Sequence, residues 1–103
     1  MNMNDYQQWA RTTAIYPEDR AVPYLALGLV GESGEVAEKV KKHIRDGTPL
    51  GSELAKELGD VLWYLSNLSY VLGFSLDDIA NMNKNKLETR KSQKKLSGSG
   101  DNR

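Results

Sequence analysis

The chain has 103 residues and no cysteine. That absence excludes a disulfide framework, a thiolate nucleophile and any zinc site built on sulfur, and it fits a reducing compartment. Long apolar runs are missing as well. Nothing approaches the ~20 consecutive apolar residues of a membrane span, and the segment from Met1 to Trp9 has no apolar signal region. The expectation is a cytoplasmic protein with no membrane partner. Net charge is lacking too: 14 Lys plus Arg balance 14 Asp plus Glu, so no bulk field draws the chain to nucleic acid. Basic residues do gather locally, at Lys84, Lys86, Arg90, Lys91, Lys94 and Lys95, against the single acid Glu88. Cations there suit a solvated helix end, and no aromatics interleave with them, so stable nucleic-acid binding is not expected. Alternating strand patterns and solenoid repeats are also absent.

What is present is helical periodicity. Asn4 or Asp5 can cap a first helix carrying Tyr6, Trp9, Ala10 and Thr13, which ends before Pro17. Residues 17 to 22 read as a loop. From Pro23, apolar Leu25, Leu29, Val36, Val40 and Ile44 recur at helical steps until Asp46-Gly47, with Gly47 as the stop. Thr48 to Gly51 makes a turn, and Ser52 can cap a third helix. Its stripe, Leu54, Leu58, Val61, Leu65, Leu68 and Leu72, is the cleanest in the chain and marks it as the central helix. Ser75 and Asp78 form a capping-box pattern that opens a fourth helix through Ile79, Met82 and Leu87 to about Lys94. The expected fold is an all-α bundle of about four helices, one domain over residues 1–96 followed by a Gly/Ser-containing tail at 97–103. Four short helices leave apolar surface to cover, so a homo-oligomer is expected.

Two pairs of acids stand at one-turn spacing, Glu32 with Glu35 and Glu57 with Asp60. Residues three apart on a helix are neighbours, so each pair sets like charges side by side. Any one such pair most often decorates a solvated face. Here Glu32 lies between Leu29 and Val36, and Glu57 between Leu54 and Val61, so both acids border apolar stripes, whereas Glu38 and Glu53 fall on the far side. If the second and third helices pack antiparallel, the bordering acids face one another. Counted from the turn, the pairs are offset by about 9 Å at 1.5 Å per residue, a gap that a staggered connection would close. Carboxylates converging at a half-buried place repel unless a cation joins them. Oxygen-only donors favour magnesium or manganese over zinc, and magnesium commonly works beside substrate phosphates.

The order Gly28-Leu29-Val30-Gly31-Glu32-Ser33-Gly34-Glu35-Val36-Ala37-Glu38, then Glu57-Leu58-Gly59-Asp60-Val61-Leu62-Trp63-Tyr64, resembles the paired Glu-x-x-Glu and Glu-x-x-Asp motifs of the MazG-like all-α nucleoside triphosphate pyrophosphohydrolases. Asn83 to Arg90 is similar to that family's Asn-x-x-Lys-Leu-x-x-Arg segment, and Gly98 to Arg103 to the tail of its short members. The resemblance runs from about residue 24 to the end and is specific in the order of its motifs. It implies hydrolysis of (deoxy)nucleoside triphosphates to a monophosphate and pyrophosphate, and the apolar surface left by four short helices makes a homodimer or homotetramer the expected form of that enzyme. It implies Mg2+, or Mn2+ in its place, on Glu32, Glu35, Glu57 and Asp60, with Glu35 or Glu57 active in catalysis. Substrate contacts would fall on Asn83, Lys86 and Arg90, with Lys39 and Lys42 as further candidates and Asn81 or Asn85 as alternatives to Asn83.

Other residues read more plainly. His43, beside Lys41, Lys42 and Arg45, suits a surface position near a helix C-terminus. Trp63 and Tyr64 suit core or subunit interface, though they, Trp9 or Tyr24 could wall a base. A di-iron carboxylate bundle is excluded because the Glu-x-x-His pairs it needs are missing. The rival to the enzyme is a non-catalytic helical protein-interaction module with acids on its surface.

Overall fold

The structure, a computed structural model, describes residues 1–94 and 96–98. Among them are four α-helices and no strand: α1 Met3–Arg11, α2 Ala21–Asp46, α3 Gly51–Val71 and α4 Leu76–Ser92, with a 3-10 turn at Glu18–Arg20 leading into α2. Lys95 and residues 99–103, most of the expected tail, lie outside the described residues.

The helix ends show which local signals prevailed. Asn2, not Asn4 or Asp5, caps α1, its side chain accepting the Asp5 amide at 2.8 Å. α1 stops at Arg11, well short of Pro17, where the Thr12 and Thr13 hydroxyls donate to the carbonyls of Trp9 and Ala10. The expected loop at 17 to 22 is largely helical, because Pro23 fits the first turn of α2, where an amide has no partner to lose. Ser52 does not cap α3, which begins at Gly51 behind Leu50 with no side-chain cap. The Ser75–Asp78 capping box forms as read: Ser75 Oγ accepts the Asp78 amide at 3.0 Å, and the Asp78 carboxylate accepts the Ser75 amide at 2.9 Å.

α2 and α3 form an antiparallel hairpin in staggered register. Gly47 takes a φ of 71°, a left-handed conformation that turns the chain back along the end of α2. There the Thr48 carbonyl meets the ring of exposed His43. α3 therefore starts beside α2 rather than beyond it. Lys39 pairs with Glu53 at 3.7 Å, and Gly28 lies against Tyr64. The same register brings Glu32 level with Asp60, and Glu35 level with Glu57. The offset expected from a level start is absorbed by this doubled-back connection.

α3 touches each of the other three helices, so it is the central element. α1 packs on α3, and α4 packs on α1 and α3 but not on α2. The junction of α1, α3 and α4 is held by Gln7, which is buried. Its Nε2 donates to the carbonyls of Ser66 and Phe74, at 3.2 and 3.0 Å, and its Oε1 accepts the Leu76 amide at 3.2 Å. Asn4 accepts the Asp77 amide at 3.2 Å. The N-terminal amides of α4, which a helix cannot satisfy internally, thus find partners on α1 and in the capping box.

The buried apolar core is thin: Ala10, Ala21, Leu25 and Leu76. Several stripe positions are exposed instead, among them Val40, Ile44, Leu58 and Leu72, as are Leu27 and Val30 on α2. The Cα radius of gyration is 16.2 Å, against about 13 Å for a compact domain of 100 residues. One chain is an open arrangement of helices whose apolar stripes outrun its own packing.

Candidate metal centre

Glu32 comes from the middle of α2, and Glu57 and Asp60 from the facing turn of α3. One carboxylate oxygen from each of the three lies within 4.8 Å of the others. Glu32 and Glu57 are half-buried and Asp60 is exposed, so the cluster sits at the rim of the helix pair, open on one side.

The charges act on one another. Burial holds the Glu32 carboxyl above its ordinary range, and Asp60, Glu57 and Glu35 each push it further in the same direction. An acid with a raised folded value carries a stability penalty above that value, relieved as pH falls through it. In metal-free buffer, Glu32→Gln should therefore melt above the wild type at neutral pH. The gap should close as pH falls from the raised value of Glu32 toward the ordinary carboxylate range, checked by melting both proteins across that window.

Glu35 lies outside the three-oxygen cluster, exposed but near enough for its charge to act on Glu32. Lys39 is one turn further along α2 and is engaged with Glu53. Lys42 borders a cleft of about 390 Å³ formed with Lys39, Thr48, Pro49, Ser52 and Glu53. Glu38 stays on the solvent side, where a 2.9 Å pair with Lys41 lowers its carboxyl. Glu53, expected on the far side, instead bridges the two helices through Lys39.

Asn83, Lys86 and Arg90 lie on α4, which packs on α3 but not on α2, the helix that carries Glu32 and Glu35. Asn83 and Lys86 border a shallow cleft with Ile79 and Met82, and Arg90 is buried. Asn81 and Asn85 open on a different cleft, beside Phe74 and Asp78.

Two phenols near the acids were not legible as neighbours of this site. The Tyr64 hydroxyl is raised by burial, then by Tyr24, Glu32 and Asp60, and the Tyr6 hydroxyl by burial, then by Asp60. Tyr6 belongs to α1, and no spacing in the sequence relates α1 to the acids across the loop between. Trp63 donates its Nε1–H to Thr13 at 2.8 Å and meets Tyr64 edge-on at 4.9 Å, so both aromatics are structural partners here.

A helical hairpin that brings three carboxylates together defines an all-α protein of the acid-cluster class, with donors suited to a hard divalent cation. Within that class the chain belongs to the MazG nucleotide pyrophosphohydrolase domain family, whose model matches residues 22–94. It is also similar to the "Gene 37 protein" of Mycobacterium phage L5, 41% identical over 114 residues that cover 100% of both chains. No solved structure matches it.

Proposed function

We propose that this chain is a metal-dependent nucleoside triphosphate pyrophosphohydrolase that cleaves the α–β phosphoanhydride, serving nucleotide pool control or house-cleaning. The observation that carries this reading is the convergence of Glu32, Glu57 and Asp60 within 4.8 Å in a chain of this family. Three oxygen donors, one with a carboxyl raised by burial and then by its acidic neighbours, fit Mg2+, with Mn2+ able to replace it. Bound there, the ion supplies neutralisation of the triphosphate and stabilisation of charge on the leaving pyrophosphate.

The side chains divide the remaining work. Glu57 holds its oxygen toward Glu32 and Asp60. Glu35, which the family resemblance gives as both ligand and catalyst, is level with Glu57 at the exposed edge, a position suited to taking a proton from the attacking water. Lys86 and Arg90 bind phosphate oxygens, Arg90 in a bidentate fork, and Asn83 donates through its amide. Lys39 and Lys42 add positive charge along α2.

In this reading Asn83, Lys86 and Arg90 meet Glu32 and Glu35 from a second copy, since α4 does not touch α2 in one protomer. Exposed Leu27, Val30 and Leu58, on the helices that carry the acids, are the surface such a homodimer or homotetramer covers. The reading also places the protein in the cytoplasm, where its substrates are.

Pyrophosphate release from a panel of canonical and modified nucleoside triphosphates tests the activity. Turnover with magnesium and none with a chelator is expected. Magnesium should also raise the melting temperature, since an ion at 100 times its dissociation constant adds about 2.7 kcal/mol. For a domain of this size that is roughly 10 °C or more. No turnover on any triphosphate and no shift at millimolar magnesium would leave the helical interaction module as the better reading.

A further inference from the structure

We infer that Gly28 and the ring of Tyr64 form a socket and spacer that set the spacing and level of α2 on α3, making Tyr64 a positioning residue for Glu32. This rests on the cation site proposed above. Gly28 stands four residues before Glu32, and Tyr64 four residues after Asp60, so the contact lies one helical turn from the acids on both helices. A Cβ built on Gly28 would lie 2.0 Å from Tyr64 Cε1 and 2.5 Å from both Cδ1 and Cζ, far inside van der Waals contact with the ring. By contrast, Gly31 and Gly34, further along the same helix, have nothing within 4 Å of such an atom. Among the glycines of α2, the close approach therefore belongs to Gly28.

The ring cannot simply yield. Trp63 meets it edge-on at 4.9 Å, and Trp63 is itself tied to Thr13 by the 2.8 Å bond from its indole nitrogen. The ring is bounded by the Gly28 backbone on one side and by an indole anchored to the residues after α1 on another. A methyl group at residue 28 would have to move α2 away from α3 or turn the ring. Either change falls one turn from Glu32, whose carboxylate must stay within 4.8 Å of Glu57 and Asp60. The contact uses the face and edge of the ring, so the phenol oxygen is not needed for it.

Mn2+ binding, followed by the loss of the free-ion electron paramagnetic resonance signal, measures the consequence without turnover. Gly28→Ala should bind Mn2+ at least roughly tenfold more weakly than wild type, the scale on which supporting residues act on metal sites, while circular dichroism shows its helices retained. Tyr64→Phe should bind within about twofold of wild type, because the spacer remains. In a Tyr64→Ala background the alanine at residue 28 should cost nothing further, since the group it strikes is gone.

Equal Mn2+ affinity in wild type and Gly28→Ala would overturn the inference, as would a full additional loss from Gly28→Ala in the Tyr64→Ala background. A loss in Tyr64→Phe equal to that of Gly28→Ala would assign the effect to the hydroxyl and also overturn it. If wild type binds no Mn2+ at all, the cation site is wrong. The register contact then stands or falls on melting temperature, which Gly28→Ala should lower in wild type and not in the Tyr64→Ala background.

Discussion

Glu57→Gln is expected to abolish pyrophosphate release from nucleoside triphosphates, with kcat/KM down by at least on the order of 10²–10³-fold. Its helical circular dichroism should be unchanged. The substitution keeps shape and removes one negative charge from a cluster of three. Glu57 is one of the charges that raise the Glu32 carboxyl, so its neutralisation relieves repulsion in the metal-free protein. The variant should therefore melt at or above the wild-type temperature without metal, and lose most of the upward shift that magnesium gives the wild type. Loss of activity with a gain in apo stability separates a functional acid cluster from a structural one. A variant that released pyrophosphate at the wild-type rate would rule out the carboxylate mechanism.

Gln7→Leu is expected to destabilise the fold by about 3–5 kcal/mol, lowering the melting temperature by roughly 15 °C or more. The leucine fills similar volume but meets none of the groups that Gln7 satisfies, the carbonyls of Ser66 and Phe74 and the amide of Leu76. Each buried group left without a partner costs about 1–3 kcal/mol, and the total stability of a domain this small is about 5–15 kcal/mol. With Ala10, Ala21, Leu25 and Leu76 as the buried apolar side chains among the described residues, the core has little to offset that loss. Urea or thermal unfolding by circular dichroism measures it. A Gln7→Leu protein melting within a few degrees of wild type would show that α1 and α4 are held together by something other than this side chain.

Both predictions depend on facts of very different legibility. Two local signals that rest on neighbouring residues, the Gly47 stop and the Ser75–Asp78 capping box, could be read from the chain. Gly47 ends α2 because a left-handed residue there needs no Cβ, and Ser75 with Asp78 opens α4 because their side chains reach amides only three residues away. The acid pairs were legible for the same reason, since one-turn spacing on a helix guarantees adjacency. The errors in helix ends were also local. Asn2 outcompeted Asn4 and Asp5 as the cap of α1, and Asn4 was left to bond the start of α4 instead.

Periodicity could not say which stripes would be covered. Val40, Ile44, Leu58 and Leu72 satisfy the helical repeat and remain exposed, because a stripe states that a partner is needed and not that the same chain supplies it. The buried face of α3 near its end carries Ser66, Asn67 and Ser69, polar residues that periodicity assigns to the surface. Asn67 and Ser69 are accommodated by bonds to backbone carbonyls one turn earlier, those of Trp63 and Leu65, whereas the buried Ser66 hydroxyl has no partner among the described residues and Gln7 meets only the Ser66 carbonyl.

By itself, then, the sequence determined four helices, the caps of two of their ends, and two acid pairs beside apolar stripes, all set by interactions within a turn or two of chain. Only the tertiary structure decided that the Gly47 reversal staggers α3 along α2, that Glu32, Glu57 and Asp60 meet while Glu35 stays at the edge, and that α4 is carried away from α2. The reason is one of range. Secondary structure follows from hydrogen bonds and side-chain neighbours a few residues apart, whereas the register of two helices is fixed by contacts such as Gly28 with Tyr64 and Lys39 with Glu53, whose partners no local pattern pairs.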